Sequence, residues 1–319
     1  MHSDVPREIA GSAALINFDT VSKWYGNVIG LNNISLSIGP GVTGLLGPNG
    51  AGKSTFLQLV TGQLKPSKGS VIILGQQPWN NPWLNRHIGL CPEQDAFYEW
   101  MTGWQFVHTF AKLRGFSGAG ARDAAQQAIE RVHLVDAQKR AIGGYSRGMR
   151  QRIKIAQSLV HQPKILFLDE PFTGTDPIAR RQLMDIILGL ADEGKSIVLS
   201  SHVLHEVQGL TQQIILMNRG RLVAEGNLRD IRDLIDNHPH RIVLISNQLR
   251  DLAALLVAHQ DVEGISVLDA KHQLIAETKK PDLFYSRLPM ILKDKSLNVS
   301  EVYSEDDNLE AVFKYLVSK

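Results

Sequence analysis

The chain has 319 residues, of which 43% are hydrophobic and 21% charged, enough for about two domains of ordinary size and a sizeable apolar core. Its 34 basic and 32 acidic side chains leave a formal net charge of +2; that balance argues against a nucleic-acid partner and means that any phosphate is caught locally. The single cysteine, Cys91, excludes a disulfide framework and a cysteine-based zinc site, and no window reaches the roughly 18 apolar residues of a bilayer span.

In chain order, residues 1–13 are polar and aperiodic and read as a flexible N-terminus. No charged n-region with an apolar stretch behind it opens the chain, so secretion is not expected. Strand-like alternation around Ala14 to Val21 and Asn33 to Ile38 precedes the turn Pro40-Gly41, and Val42 to Leu46 reads as a buried strand entering a glycine-rich loop. A helix to about Gly62 and strands at Val71 to Leu74 and near His87 to Cys91 follow. From Thr102 to about Gln162 the apolar spacing predicts three helices in a row, a helical insertion over about residues 100–160. Continuous apolar runs at Ile165 to Leu168 and Ser196 to Leu199 flank an amphipathic helix from Pro177 to about Glu193, the pattern of parallel strands buried on both faces.

The charge balance shifts near Asp230: residues 231–319 hold 11 basic and 14 acidic side chains, against 23 and 18 before them. This stretch has strand-like runs at 241–246, 264–268 and 274–278 and helix-like runs at 248–258 and 308–317. The expected organisation is a flexible 1–13, a domain over 14–230, and a small C-terminal α+β domain over 231–319, joined around Asp236 to Pro239. Repeats, heptads and low-complexity tracts are absent, which removes solenoid, coiled-coil and fibrous architectures.

Gly47-Pro48-Asn49-Gly50-Ala51-Gly52-Lys53-Ser54 fits G-x-x-x-x-G-K-[ST], between a predicted strand and a predicted helix that begins near Thr55. Such a loop turns its backbone N–H groups inward and adds the positive end of a helix, so a polyphosphate is held without a large net charge. Lys53 is expected to reach the β- and γ-phosphates and Ser54 to ligate Mg²⁺. A triphosphate site also needs an acidic metal partner, and Asp169 ends the apolar run Ile165 to Leu168. Glu170 beside it is placed to polarise an attacking water, with a solvated strand end as the alternative on these two residues alone.

These residues, taken with Tyr145-Ser146-Arg147-Gly148-Met149-Arg150-Gln151-Arg152 upstream of Asp169, resemble the ATP-binding cassette (ABC) family of transport ATPases. The octapeptide resembles the family signature, usually opening L-S-G-G-Q; Ser146 and Gly148 match, whereas Tyr145, Arg147 and Met149 depart toward the variant of type-2 exporter subunits. On its residues alone, Ser146 reads as a helix N-cap. Further matches fall in family order: Tyr25 as the aromatic that stacks on adenine; Glu93-Gln94 after Pro92 as the Q-loop, either of the two being the residue near the metal; Asp176 in Gly174-Thr175-Asp176-Pro177 as the D-loop, equally a helix cap; and His202 after Ser200-Ser201 as the switch histidine.

The resemblance, which covers about residues 14–230, implies an α/β P-loop NTPase (RecA-like) core with an N-terminal antiparallel β part and the helical insertion. It implies ATP and Mg²⁺ as cofactors, Glu170 and His202 as catalytic groups, and a signature, Ser146 to Met149, that acts in trans on a partner's ATP. The expected function is the ATPase subunit of an exporter. It would form a head-to-tail dimer with itself or a homologous subunit, work with a separate integral membrane permease, and lie peripherally on the cytoplasmic face of the cell membrane. The alternative is a soluble cassette ATPase outside transport; the coiled-coil insertion or second cassette common in such proteins is absent, as is the N-K-x-D of a GTPase. His202 and His205 supply too few ligands for a metal site, Asn298-Val299-Ser300 is a bare sequon, and Arg147, Arg150, Arg152 and Lys154 read as a solvated or docked helix face.

Overall fold

The computed structural model describes residues 14–227, 239–269, 272–294 and 297–304, and the chain divides into two compact units, Met1–Glu225 and Gly226–Lys319. The expected tail 1–13, the boundary at 230/231, most of the expected join and the helix at 308–317 lie outside the described residues.

In the first unit β1 (Ile16–Tyr25) and β2 (Val28–Ile38) form an antiparallel hairpin, each strand longer than its alternation foretells because register shifts interrupt the period. β1 also pairs antiparallel with β4 (Lys68–Ile73), giving a three-stranded sheet. Phe18 of β1 stacks flat on Phe56 of α1 (Lys53–Val60), ring centroids 4.6 Å apart, so this sheet packs on the helix that follows the glycine-rich loop. Aromatic pairs in such geometry add about 1 kcal/mol to their buried area.

The second sheet has the order β5-β6-β7-β3-β8-β9, from β3 (Val42–Leu46), β5 (Ile88–Cys91), β6 (Ile165–Leu168), β7 (Ser196–Ser201), β8 (Gln213–Asn218) and β9 (Arg221–Asn227). β3 is parallel to β7 and β8, and β6 is parallel to β5 and β7. The β6 residues are buried throughout, as are those of β7, which is why both read as unbroken apolar runs. The register places Leu46 beside Ser201 and Leu168 beside Leu199. The carboxyl ends of β3, β6 and β7 therefore open side by side, where parallel sheets bind ligands.

The insertion is α3 (Gly103–Leu113), α4 (Gly118–Arg131) and α5 (Arg147–Leu159), with two single 3₁₀ turns between α4 and α5. A reciprocal capping box fixes the start of α3: Thr102 Oγ1 accepts from Gln105 N, and Gln105 Oε1 accepts from Thr102 N. The short α2 (Pro82–Asn85), α6 (Pro177–Asp192) and α7 (Leu204–Gln208) complete this unit.

The second unit runs β10 (His240–Ser246), α8 (Leu249–Val257), β11 (Gly264–Leu268), β12 (Gln273–Thr278), α9 (Pro281–Asp294), β13 (Val299–Ser304). Its antiparallel sheet, ordered β11-β12-β10-β13, is a split βαβ arrangement. Ile242, Leu244, Leu274 and Ala276 face Leu252 and Leu256 of α8 and Phe284 and Leu288 of α9 across one core. The sequence pattern does not announce α9 or β13: Pro289 sits inside α9, where proline usually ends a helix, and β13 is largely exposed. Among the described residues no helix is long and apolar enough to cross a bilayer.

Just beyond α5, His161 ties that helix to the sheet. Its Nε2 lies 2.8 Å from the carbonyl oxygen of Ile88 and must carry the proton, while Nδ1 is buried without a partner. Burial first, and the nearby Arg114 charge second, push its pKa down from 6.5 to about 4. The folded state thus keeps the ring neutral where the unfolded chain protonates it. Stability from this site is full above about pH 6.5 and is lost as pH falls toward 4. Stability against urea should therefore fall between pH 6.5 and 4.5 more steeply in wild type than in His161→Gln, which keeps an amide donor for Ile88; identical slopes would contradict this.

Candidate nucleotide site

At the three strand ends lies a cleft of about 520 Å³, lined by Tyr25, Val28 to Gly30, residues 48–55, Glu93, Asp169, Glu170, Thr173 and His202. The loop after β3 enters α1 through Gly52, whose φ of +102° is left-handed; a Cβ at this position would lie 2.8 Å from the Gly30 carbonyl oxygen, so glycine is required there. No side chain caps the first turn of α1. Its leading amides have no intrahelical partners and carry the positive end of the helix dipole, an arrangement suited to phosphate oxygens.

Lys53 is 8% exposed. Its ammonium donates to the Gly47 carbonyl at 2.6 Å and lies 3.2 Å from Glu170 Oε1. The other carboxylate oxygen, Oε2, is 2.8 Å from His202 Nδ1. Glu170, 6% exposed, adopts a left-handed φ of +45°, a conformation that costs a non-glycine residue about 1 kcal/mol or more. Its N–H donates to Ser200 Oγ at 2.9 Å, and the Ser200 hydroxyl in turn donates to Asp169 Oδ1 at 2.6 Å. Ser200, a hub between the Glu170 backbone and the Asp169 carboxylate, reads in the sequence merely as a neighbour of His202. Its signal was position at the end of β7, beside the acidic strand end.

Burial pushes the Asp169 carboxyl above the usual range; the Ser200 bond opposes this, and the Glu93 and Glu170 charges reinforce it. Three carboxylates, of Glu93, Asp169 and Glu170, thus line the same cleft as the Ser54 hydroxyl. Such hard oxygen donors suit Mg²⁺, which is commonly held by one or two carboxylates together with substrate phosphates. No cluster of three His, Cys, Asp or Glu forms a metal cage by itself among the described residues. Of the two Q-loop candidates, Glu93 lines the cleft and Gln94 is not among its lining residues.

Tyr25 sits at the cleft mouth, 44% exposed, its hydroxyl 3.3 Å from Thr55 Oγ1 and donating to Gln58 Oε1 at 3.4 Å. Its ring is steadied, with the Lys23 ammonium over it at 5.6 Å. Ser146, Arg147, Gly148, Met149 and Asp176 do not line the cleft. Ser146 caps α5, its Oγ accepting from Met149 N at 3.3 Å, and Asp176 caps α6, its Oδ1 accepting from Ala179 N at 2.9 Å. Gly148 meets α6 so closely that a Cβ would lie 2.5 Å from that of Ala179. The two capping segments are thereby packed together on one chain, with Ser146 and Arg147 exposed.

A family model described as ABC transporter matches residues 31–173. An uncharacterized ABC transporter ATP-binding protein of Bacillus subtilis, YxlF, is 30% identical over 95% of this chain and 99% of its own length. The doxorubicin resistance ATP-binding protein DrrA of Mycobacterium tuberculosis is 37% identical over 75% of this chain and 72% of its own. Among solved structures, cbiO1 from Clostridium perfringens, part of the ABC transporter complex cbiONQ, matches with a TM-score of 0.63 and 26% identity, covering 69% of this chain and 91% of that one. The chain therefore belongs to the ATP-binding proteins of ABC transporters: an ATP-binding ATPase of P-loop α/β fold.

Ser200→Ala leaves the buried Glu170 N–H without its acceptor, a loss of about 1–3 kcal/mol, and frees the Asp169 carboxylate and the Glu170 backbone to move. The variant should melt lower and hydrolyse ATP at least about tenfold more slowly; unchanged turnover would remove Ser200 from the site.

Proposed function

We propose that this chain is the ATP-hydrolysing subunit of an exporter, working at the cytoplasmic face of the membrane with a separate permease and closing head to tail on a second copy or a homologous subunit. The observation that carries the reading is the division of the machinery: the cleft holds the phosphate loop, Asp169, Glu170 and His202, whereas exposed Ser146 and Arg147 lie outside it. The N-terminus of α5 is a second anion-binding end, free to meet the nucleotide of the opposing subunit. The doxorubicin resistance name of one relative favours the export reading.

In this reading Tyr25 stacks on adenine, residues 47–55 cradle the phosphates, and Ser54, Asp169 and Glu93 hold Mg²⁺. The metal, when bound, neutralises phosphate charge in the transition state. The γ-phosphate competes with Glu170 for Lys53, which releases Oε1 toward the attacking water. Glu170 takes a proton from that water as its oxygen bonds the γ-phosphorus and the bond to the β-phosphate oxygen breaks, yielding ADP and phosphate. His202, 2.8 Å from the other oxygen, holds the carboxylate in place. Such base assistance is worth about 10²–10⁴-fold. Binding would draw two subunits together and hydrolysis release them, a cycle of population shifts passed to the permease. Asp176 would touch the opposing subunit, and the unit from Gly226 onward would serve as an accessory domain.

Glu170→Gln should bind ATP, stay dimeric by light scattering in Mg-ATP, and lose turnover by about 10²-fold or more. A variant that hydrolyses at the ordinary rate would refute the assignment of the base.

A further inference from the structure

Lys154 takes the docked alternative that the sequence leaves open for the basic face of α5. Two turns into α5 it is 2% exposed, and its ammonium points at the stretch after β5. An ammonium has three N–H donors, and each finds an acceptor: the Pro92 carbonyl at 3.1 Å, the Glu93 carbonyl at 2.7 Å and Asp95 Oδ1 at 2.9 Å. One turn earlier, Arg150 bonds Glu99 at 3.0 Å, lies 3.8 Å from Asp95, and sets its guanidinium over the Phe97 ring at 5.9 Å. Two cations of one helix thus grip residues 92–99.

Stability alone does not account for this arrangement, because a buried ionic group is often replaced by an apolar one without loss. What it supplies is position. The two carbonyls that Lys154 holds belong to the peptides on either side of Glu93, whose side chain lines the cleft. The same helix begins at Ser146, outside the cleft. We infer that Lys154 is a positioning residue: it fixes Glu93 toward the nucleotide and its metal, and joins the 92–95 stretch to the signature helix so that the two move together. This inference rests on the cassette reading of the cleft.

The test uses the full chain with Lys154→Met, Glu93→Ala and the double variant. ATP affinity is measured by calorimetry with EDTA and with Mg²⁺, alongside kcat and KM. Lys154→Met should keep its metal-free ATP affinity within about twofold, since the phosphate loop is untouched, while kcat falls about tenfold or more. The gain in ATP affinity on adding Mg²⁺ should shrink as it does in Glu93→Ala. In the Glu93→Ala background, Lys154→Met should cost less than about a further twofold, the non-additivity of residues acting through one another. An unchanged kcat, losses that multiply in the double variant, or a metal-free affinity loss as large as the kcat loss would each overturn the inference. If Lys154→Met does not fold, Asp95→Ala removes one of the three acceptors, on a side chain 41% exposed; it should lower kcat in the same direction, and no change would overturn the inference equally. Lys53→Ala separates the two levels. Full ATP binding by that variant defeats the cassette reading itself, whereas its expected loss beside a silent Lys154→Met defeats the positioning role alone.

Discussion

Glu170 brings three distant parts of the chain to one carboxylate. The Lys53 ammonium, from the loop after β3, lies 3.2 Å from one oxygen, and the His202 ring, from the end of β7, lies 2.8 Å from the other. The parallel register makes this possible: Leu46 beside Ser201 and Leu168 beside Leu199 bring the three loops to one edge of the sheet. Ser200 then locks the backbone of Glu170 and the side chain of Asp169 with one hydroxyl. A shift of one residue in any of the three strands would turn these side chains to the other face.

The electrostatics follow from the same layout. In the proposed reading a nearly neutral chain attracts a polyphosphate through oriented amides and one buried lysine rather than through bulk charge. Asp169, Glu93 and Glu170 crowd negative charge into the cleft, and burial raises the Asp169 carboxyl, an effect to which that crowding adds. Such a cluster favours a divalent cation with the phosphates, and it explains why ATP and metal are expected to bind together. α5 runs between this cleft chemistry and the exposed Ser146 cap, and the buried Lys154 is the side chain that bridges them.

Much of this was legible in the sequence because the cleft residues act through local rules. The phosphate loop has a fixed spacing between a strand and a helix, and the buried strands β6 and β7 announce themselves as short apolar runs. The roles of Ser146 and Asp176 as helix caps were also readable from single positions. Tertiary placement was not. Lys154 and Arg150 share a charged pattern along the chain, yet one is buried and the other half-buried. Glu93 and Gln94 are adjacent, and the path of the backbone after β5 decides which one faces the cleft. α9 escaped because Pro289 obeys a rule that the surrounding core overrides.

In the proposed dimer one subunit's cleft is completed by the other's signature. Mixing two inactive variants probes that composite site: Lys53→Ala, with a disabled phosphate loop, and Ser146→Arg, with a disabled signature. In a mixed dimer one site pairs the intact loop of the second with the intact signature of the first. ATP hydrolysis, absent from either variant alone, should return on mixing. A mixture as inactive as its components, with mixed dimers demonstrably formed, would contradict a site shared between subunits.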